Sequence, residues 1–322
     1  QAGPRLQRLW YRAGPEHPSF PAALIAIKGC GGEAPSIEGG HRGPGSGRRM
    51  RLASARRSGW ASGGPTRADE AALDLPSLIR TEVLIVGGGA TGTALARDLA
   101  LRGVDCVLVE KSDVNAGASG RNHGLLHSGA RYVASDREAA MECRAEGAIQ
   151  KRMAAQAIQD TGGYFVAVQG DDERYIADFP SYCERSGIAV RTVDVATARA
   201  HEPALSDRAI AVFEVPDASI DPFRLSLETM AHAQRLGARL LRHARVVAFE
   251  RDGRRIRAAR VRPAAGTEDV RIEAAQYVNA AGAWARDIAA LAGAPIAMTY
   301  AKGALLITHS RLAERVVNRL RR

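Results

Sequence analysis

Two short apolar runs, Val83-Leu84-Ile85-Val86 and Cys106-Val107-Leu108-Val109, flank the glycine pattern Gly87-x-Gly89-x-x-Gly92. A continuous apolar run bounded by glycine reads as a strand buried on both faces, the situation of parallel sheets covered by helices. Thr91–Leu101 has helical composition, and Gly103 is placed to end it. The order is strand, glycine turn, helix, strand, a βαβ unit over Thr81–Glu110. In that context the glycines carry a mechanism. Gly87 permits the tight turn, Gly89 lets the backbone approach a pyrophosphate, and Gly92 lets helix and strand pack closely. Ala90 and Thr91 open the helix, where free N–H groups and the positive dipole end face phosphates. Glu110 follows Gly92 by 18 residues, where a carboxylate binds ribose hydroxyls and repels a 2′-phosphate. Lys111, beside it, joins the expected cofactor-binding set. This spacing alone does not separate FAD from NAD.

The rest of the chain is uneven. Residues 1–75 are rich in Gly, Pro, Ser and Arg and show no helical or strand period. Such a segment cannot offset its ordering entropy by burying apolar surface, so 1–78 is expected to be a disordered extension, with Met50 a candidate initiator. Of the net charge of +10, residues 1–80 supply +6, with 12 Lys+Arg against 6 Asp+Glu. Arginine dominates throughout, which reads as compositional bias, and no nucleic-acid partner is expected. No apolar stretch is long enough to span a bilayer. Cys30, Cys106, Cys143 and Cys183 form no C-x-x-C pair, so no metal site is expected. A reducing, cytoplasmic setting fits, and Cys106 reads as core.

Beyond the βαβ unit, Asn115–Gly129 is a polar, glycine-rich loop. Ser135 and Glu138 have capping-box spacing and open a helix expected to run to about Gln159. Asp221-Pro222 starts a helix ended by Gly237. Arg239–Phe249, Arg255–Val261 and Asp269–Glu273 read as strands, the first two joined by a turn at Arg251–Arg254. Tyr277–Ala280 is a short strand leading to Gly282 and a helix, Trp284–Leu291.

Gly117–Tyr132, GASGRNHGLLHSGARY, closely resembles the loop after the second strand in FAD-dependent glycerol-3-phosphate dehydrogenases, above all the catalytic subunits of the bacterial anaerobic enzymes. Val215-Pro216-Asp217, Ile220–Leu225, Val278–Gly282 and Ala301-Lys302-Gly303 extend the resemblance. These shorter segments are shared with the wider D-amino-acid-oxidase and glycine-oxidase superfamily. The resemblance makes the dinucleotide FAD. It implies oxidation of sn-glycerol 3-phosphate to dihydroxyacetone phosphate, with hydride passing to flavin N5 and electrons onward to a quinone.

That chemistry needs a base for the hydroxyl proton and cations for the phosphate. The loop offers His123 and His127 for the first, Arg121 and Arg131 for the second. The resemblance assigns Ser119, Arg121, Asn122 and His123 to the cofactor, together with Val247 at the adenine end and Ala281-Gly282 as a second close approach. His127 and Arg131 are the expected catalytic pair, with Arg131, Tyr132 and Lys302 at the substrate. His201, His232, His243 and His309 carry no such context.

The expected fold is α/β: a Rossmann-like FAD-binding domain (79–162 and 238–293) with an interrupted α+β substrate domain (163–237, resumed at 294–322). In the family the fold continues past the segment matching Arg322, with a Gly-Gly-Lys-type return over the flavin and, in the anaerobic catalytic subunits, a cysteine-rich domain. The chain is therefore expected to be an N-terminal fragment, truncated at its C-terminus and incomplete as a catalyst. Membrane contact is expected to be peripheral, on the inner face of the cell membrane through partner subunits. Two other readings stay open: an oxidase or dehydrogenase of a 2-hydroxy acid or amine, and a non-catalytic nucleotide-binding remnant.

Overall fold

The computed structural model describes residues 76–265 and 268–321. The Gly/Pro/Arg-rich segment before Pro76, with Met50 and Cys30, lies outside them. In chain order the elements are β1 (Leu78–Val86), α1 (Ala90–Leu101), β2 (Cys106–Val109), β3 (Leu125–Leu126), α2 (Arg137–Met153), β4 (Ile158–Gln159), β5 (Gly163–Val168), α3 (Glu173–Arg185) and β6 (Arg191–Val193). They continue with α4 (Val195–His201), β7 (Ala209–Val215), β8 (Ala218–Ile220), α5 (Pro222–Arg235), β9 (Arg239–Leu241), β10 (Ala244–Asp252), β11 (Arg255–Pro263), β12 (Val270–Asn279), α6 (Ala285–Leu291) and β13 (Val316–Arg319).

The largest sheet runs β10-β11-β12-β1-β2-β9. β12, β1, β2 and β9 are parallel. β10, β11 and the start of β12 form an antiparallel meander. Alternation along the strands sends side chains to two different covers. Leu84, Val86, Val107 and Val109 pack with the meander residues Val246, Val261 and Ile272. Val83, Ile85, Cys106 and Leu108 pack with Ala96 and Ala100 of α1 and Met230 and Ala233 of α5. Both faces of β1 and β2 are covered, which is why both read as unbroken apolar runs. Cys106 is core, and burial pushes its thiol up to about 11.

A second sheet, β13-β5-β7-β6, packs one face on α3 through Phe165, Phe179, Cys183 and Phe213. The other face buries Tyr164, Val166, Ala198 and Val212. A small sheet, β3-β8-β4, ties the 115–132 loop to this half of the molecule.

Several boundaries differ from the sequence reading. Arg239–Phe249 is two strands, broken at Arg242-His243, where His243 has φ +52°. β9 pairs with β2, and β10 lies at the other end of the sheet order. Both pieces carry strand-like residues, so periodicity cannot show that the chain changes sheet position between them. Asp269–Glu273 and Tyr277–Ala280 are one strand, β12, whose polar middle is held by ion pairs of Glu273 with Arg80 and Arg271. α2 stops at Met153, and a short 3-10 turn, Ala155–Ala157, leads into β4. Its N-cap is Asp136, whose carboxylate accepts from Ala139 N at 3.0 Å. Ser135 instead donates weakly to Tyr132 O at 3.5 Å.

Candidate functional site

The glycine turn is built by steric exclusion. Gly87 has φ +115°, and a Cβ there would lie 2.4 Å from Ala280 O and 2.9 Å from Ala281 Cα. The turn is thereby seated on Ala280-Ala281, directly before Gly282. A Cβ on Gly92 would lie 1.9 Å from Gly87 O, so only glycine lets α1 pack this close to its own turn. At Gly89 the nearest atom would be Ser119 Oγ, at 2.9 Å. Gly89 caps α1 without a side-chain bond, and the first turn has no acidic residue. The helix dipole therefore faces outward without a charge of its own to balance it.

Glu110 closes one end of this turn. Its Oε2 accepts from Gly88 N at 2.7 Å and its Oε1 from Ser112 N at 2.8 Å, which fixes the carboxylate plane. Lys111 lies over the Trp284 ring, 3.2 Å from its centroid. Burial lowers the Lys111 pKa and Arg245 lowers it further, while Glu110 and Asp287 oppose. Trp284 in turn faces Gly117, where a Cβ would meet the indole at 3.3 Å. Val247 falls between the pairs Val246↔Val261 and Ala248↔Arg260, a one-residue bulge in β10 that leaves it outside the ladder register.

The 115–132 loop is bonded directly to the turn. Ser119 Oγ accepts from Ala90 N at 3.0 Å, at the start of α1. Asn122 Nδ2 donates to Ser119 O at 2.6 Å, and its Oδ1 accepts from Gly124 N at 2.8 Å. Thr91, Arg121, His123 and Arg131 are exposed beside this framework. His127 is half-buried, its ring edge-on to Tyr132 with centroids 5.4 Å apart. Burial lowers the His127 pKa. Asp217 pulls it back up, and Arg131 and His123 add to the lowering. His127 Nδ1 is buried without a hydrogen-bond partner among the described residues.

The structure thus brings Gly87–Gly92, Glu110, Lys111, Ser119–His123, Ala281 and Gly282 into one contiguous region. Lys302 stands apart. It lies in the irregular segment 294–308, exposed, with no hydrogen bond or ion pair among the described residues. Sequence reasoning missed four contributors: Ser112, Trp284, Asn115 and Asn318. Asn115 holds φ +64° and donates to Pro222 O at 2.6 Å. Asparagine tolerates the left-handed region, so Asn115 before Gly117 was a usable turn signal. Nothing local marks Asn318, which acts 101 residues from its partner Asp217.

A parallel sheet covered by helices on one face and a β-meander on the other, with a glycine turn at a helix start, defines a dinucleotide-dependent oxidoreductase. Residues 82–320 match the family model DAO, FAD dependent oxidoreductase, and the chain belongs to that family. It is 43% identical over 242 residues to the A subunit of the anaerobic glycerol-3-phosphate dehydrogenase of Escherichia coli K12, covering 75% of this chain and 45% of that protein. The chain therefore spans about half the length of that relative. Among solved structures, L-proline dehydrogenase from P. horikoshii shares the fold at TM-score 0.57 and 24% identity, over 66% of this chain and 56% of that one. Glycerol-3-phosphate dehydrogenase from Bacillus halodurans, solved with FAD, does so at TM-score 0.51 and 23% identity, over 66% and 36%. The resemblance carried by Gly117–Tyr132 is borne out at the level of sequence, and the α/β fold at the level of structure.

The residues present fit FAD. The turn leaves backbone space that a Cβ at Gly89 would fill. The start of α1 suits a pyrophosphate, and Glu110 is an acceptor fixed for hydroxyl donors.

Proposed function

We propose that this chain binds FAD and forms the cofactor-side half of an enzyme oxidising sn-glycerol 3-phosphate to dihydroxyacetone phosphate. One observation carries the reading. The loop whose sequence resembles these dehydrogenases is bonded to the pyrophosphate cradle at Ser119 and, eight residues on, presents a half-buried histidine. In this reading 79–162 and 238–293 hold the nucleotide, and 163–237 with 294–322 face the substrate.

Gly87, Gly89, Ala90, Thr91 and Gly92 hold the pyrophosphate on backbone N–H groups. Glu110 takes the ribose hydroxyls, and Lys111, held over Trp284, borders them. Val247, displaced from the ladder, offers its backbone to the adenine edge. Ser119, Arg121, Asn122 and His123 line the phosphates and the chain towards the flavin, with Ala281-Gly282 opposite. When bound, FAD would supply the two-electron acceptor, with a quinone reached through partner subunits as the final acceptor. His127 takes the substrate hydroxyl proton. Its lowered pKa favours the neutral imidazole, the form that can accept a proton. Arg131 clamps the phosphate, with Tyr132 fixing His127; Lys302, which stands apart on 294–308, joins the substrate only if that segment folds back over the loop.

Among the described residues no helix is long and apolar enough to cross a membrane. We infer from the resemblance, and not from that absence, that delivery to a quinone is peripheral, at the inner face of the cell membrane. The test is anaerobic addition of substrate to the FAD-loaded full-length protein, in which this cofactor-side half is completed. Glycerol 3-phosphate is expected to bleach the yellow chromophore, while glycine and 2-hydroxyglutarate leave it. Bleaching by either of those, and not by glycerol 3-phosphate, would overturn the substrate. His127→Asn is expected to slow bleaching ~100-fold or more.

A further inference from the structure

Asp217 is 1% exposed, and among the described residues it forms no ion pair with any Lys, Arg or His. It lies between β7 and β8, far in sequence from the 115–132 loop. Its Oδ1 accepts from both Ser128 N and Ser128 Oγ, each at 2.7 Å. Its Oδ2 accepts from Asn318 Nδ2 at 3.0 Å, on β13. All three contacts use Asp217 as acceptor, the pattern of a carboxylate. A Cβ on Gly163, the first residue of β5, would lie 2.6 Å from Asp217 Cβ, so a glycine there makes room for the group. Three separate elements are thus arranged around one buried acid. A buried charge without a counter-charge is costly unless hydrogen bonds and a nearby cation compensate it.

The loop residue that Asp217 grips is the neighbour of His127. Gly129, on the other side, is locked at φ +96°, where a Cβ would lie 2.2 Å from Ala140 O. His127 is therefore held between an edge contact to Tyr132 and a backbone fixed at Ser128. We propose that Asp217 is the positioning residue of the proton acceptor: through Ser128 it fixes the His127 backbone, and its negative charge stabilises the imidazolium formed when His127 takes the hydroxyl proton. The proton moves from the substrate hydroxyl to the imidazole, and Asp217 itself exchanges none. The inference rests on the reading of His127 as that acceptor.

The groups facing His127 are few. Arg131 and His123 come from its own loop and disfavour the cation, and Tyr132 packs against the ring. Asp217, from the β7–β8 connection, is the opposing negative charge. Removing it leaves the imidazole with burial and the Arg131 guanidinium opposing the cation.

Two variants separate charge from tether. Asp217→Asn removes the charge and keeps an acceptor for Ser128, and a flip of the Asn318 amide restores the third contact. Ser128→Ala keeps the charge and removes one donor. Histidine-selective NMR titration of the full chain, with His127 assigned by His127→Gln, reads the proton affinity without any turnover. The expected result for Asp217→Asn is a His127 pKa below wild type, with FAD content and melting temperature retained. Ser128→Ala is expected to leave the His127 pKa at or above wild type. In turnover, Asp217→Asn is expected to lower kcat about tenfold, a fraction of what a general base contributes, with KM within about twofold. An unchanged His127 titration in folded Asp217→Asn overturns the proposal. If that variant does not fold, a fall of the His127 pKa in Ser128→Ala overturns it instead. A wild-type protein whose flavin is not bleached by glycerol 3-phosphate overturns the substrate reading and leaves the titration result standing on its own.

Discussion

The glycine turn and the 115–132 loop are neighbours joined by the Ser119–Ala90 bond, yet they are built in opposite ways. The turn is defined by backbone and by missing side chains. Its key distances, 1.9 Å at Gly92 and 2.4 Å at Gly87, are to backbone carbonyl oxygens of Gly87, directly after β1, and Ala280, directly after β12. The loop is defined by side chains and by distant partners. Ser128 depends on Asp217, 89 residues away, and Gly124 O accepts from Ile220 N at 2.8 Å. A backbone-coded site tolerates no side chain where backbone meets backbone, at Gly87 and Gly92. A side-chain-coded site can be retuned one group at a time, as a specificity element requires.

The largest effect should come from breaking the turn. Gly92→Val is expected to cost about 3 kcal/mol or more, because added atoms must displace the Gly87 carbonyl. Urea unfolding checks this, and a midpoint near wild type would refute the close-packing role. Next is the boundary between the two regions. Glu110→Ala leaves the N–H groups of Gly88 and Ser112 without their acceptor and removes the ribose ligand, so FAD affinity should fall about tenfold, the effect of one charged hydrogen bond. Isothermal titration measures it.

A smaller effect belongs to the loop alone. The His127 pKa is lowered from 6.5 by burial, so the folded state binds fewer protons than the unfolded one. This contribution to stability is therefore neutral above the unfolded pKa. It turns unfavourable as pH falls through 6.5 towards the folded value. Wild type should lose more stability between about pH 7.5 and 5.5 than His127→Gln does, and equal losses would show that burial does not govern this histidine. The smallest effect is expected at Gly103→Ala. A Cβ there meets nothing within 4 Å, and only φ +72° opposes it, a cost of about 1 kcal/mol.

The same contrast explains what could be read in advance. Gly87–Gly92, β1, α1 and β2 were legible because each signal is local: four apolar residues, three glycines, one carboxylate. Asp221-Pro222 likewise announced α5, with Asp221 Oδ1 accepting from Phe223 N at 2.9 Å. The break at Arg242-His243 was not legible, because two strand-like pieces on either side satisfy one alternating pattern. The Asp217–Asn318 grip on Ser128 was invisible for a different reason. It joins three segments that the second sheet and the small sheet bring together, and each residue alone reads as a loop or edge polar group. Leu306 and Ile307, each 95% exposed, are not packed among the described residues.

The central claim is that the glycine turn and the loop form one FAD cradle, and Gly89→Ala tests it most directly. Gly89 has an ordinary φ of −80°, and its added Cβ would meet only the rotatable Ser119 hydroxyl, so the fold should survive unchanged. The same methyl occupies the space through which the pyrophosphate reaches the helix start. Measured by FAD titration of apoprotein, the variant should keep the wild-type melting temperature and lose FAD affinity by about 100-fold, the larger end of what a steric block of this kind produces. Wild-type affinity in a folded Gly89→Ala protein would contradict the account.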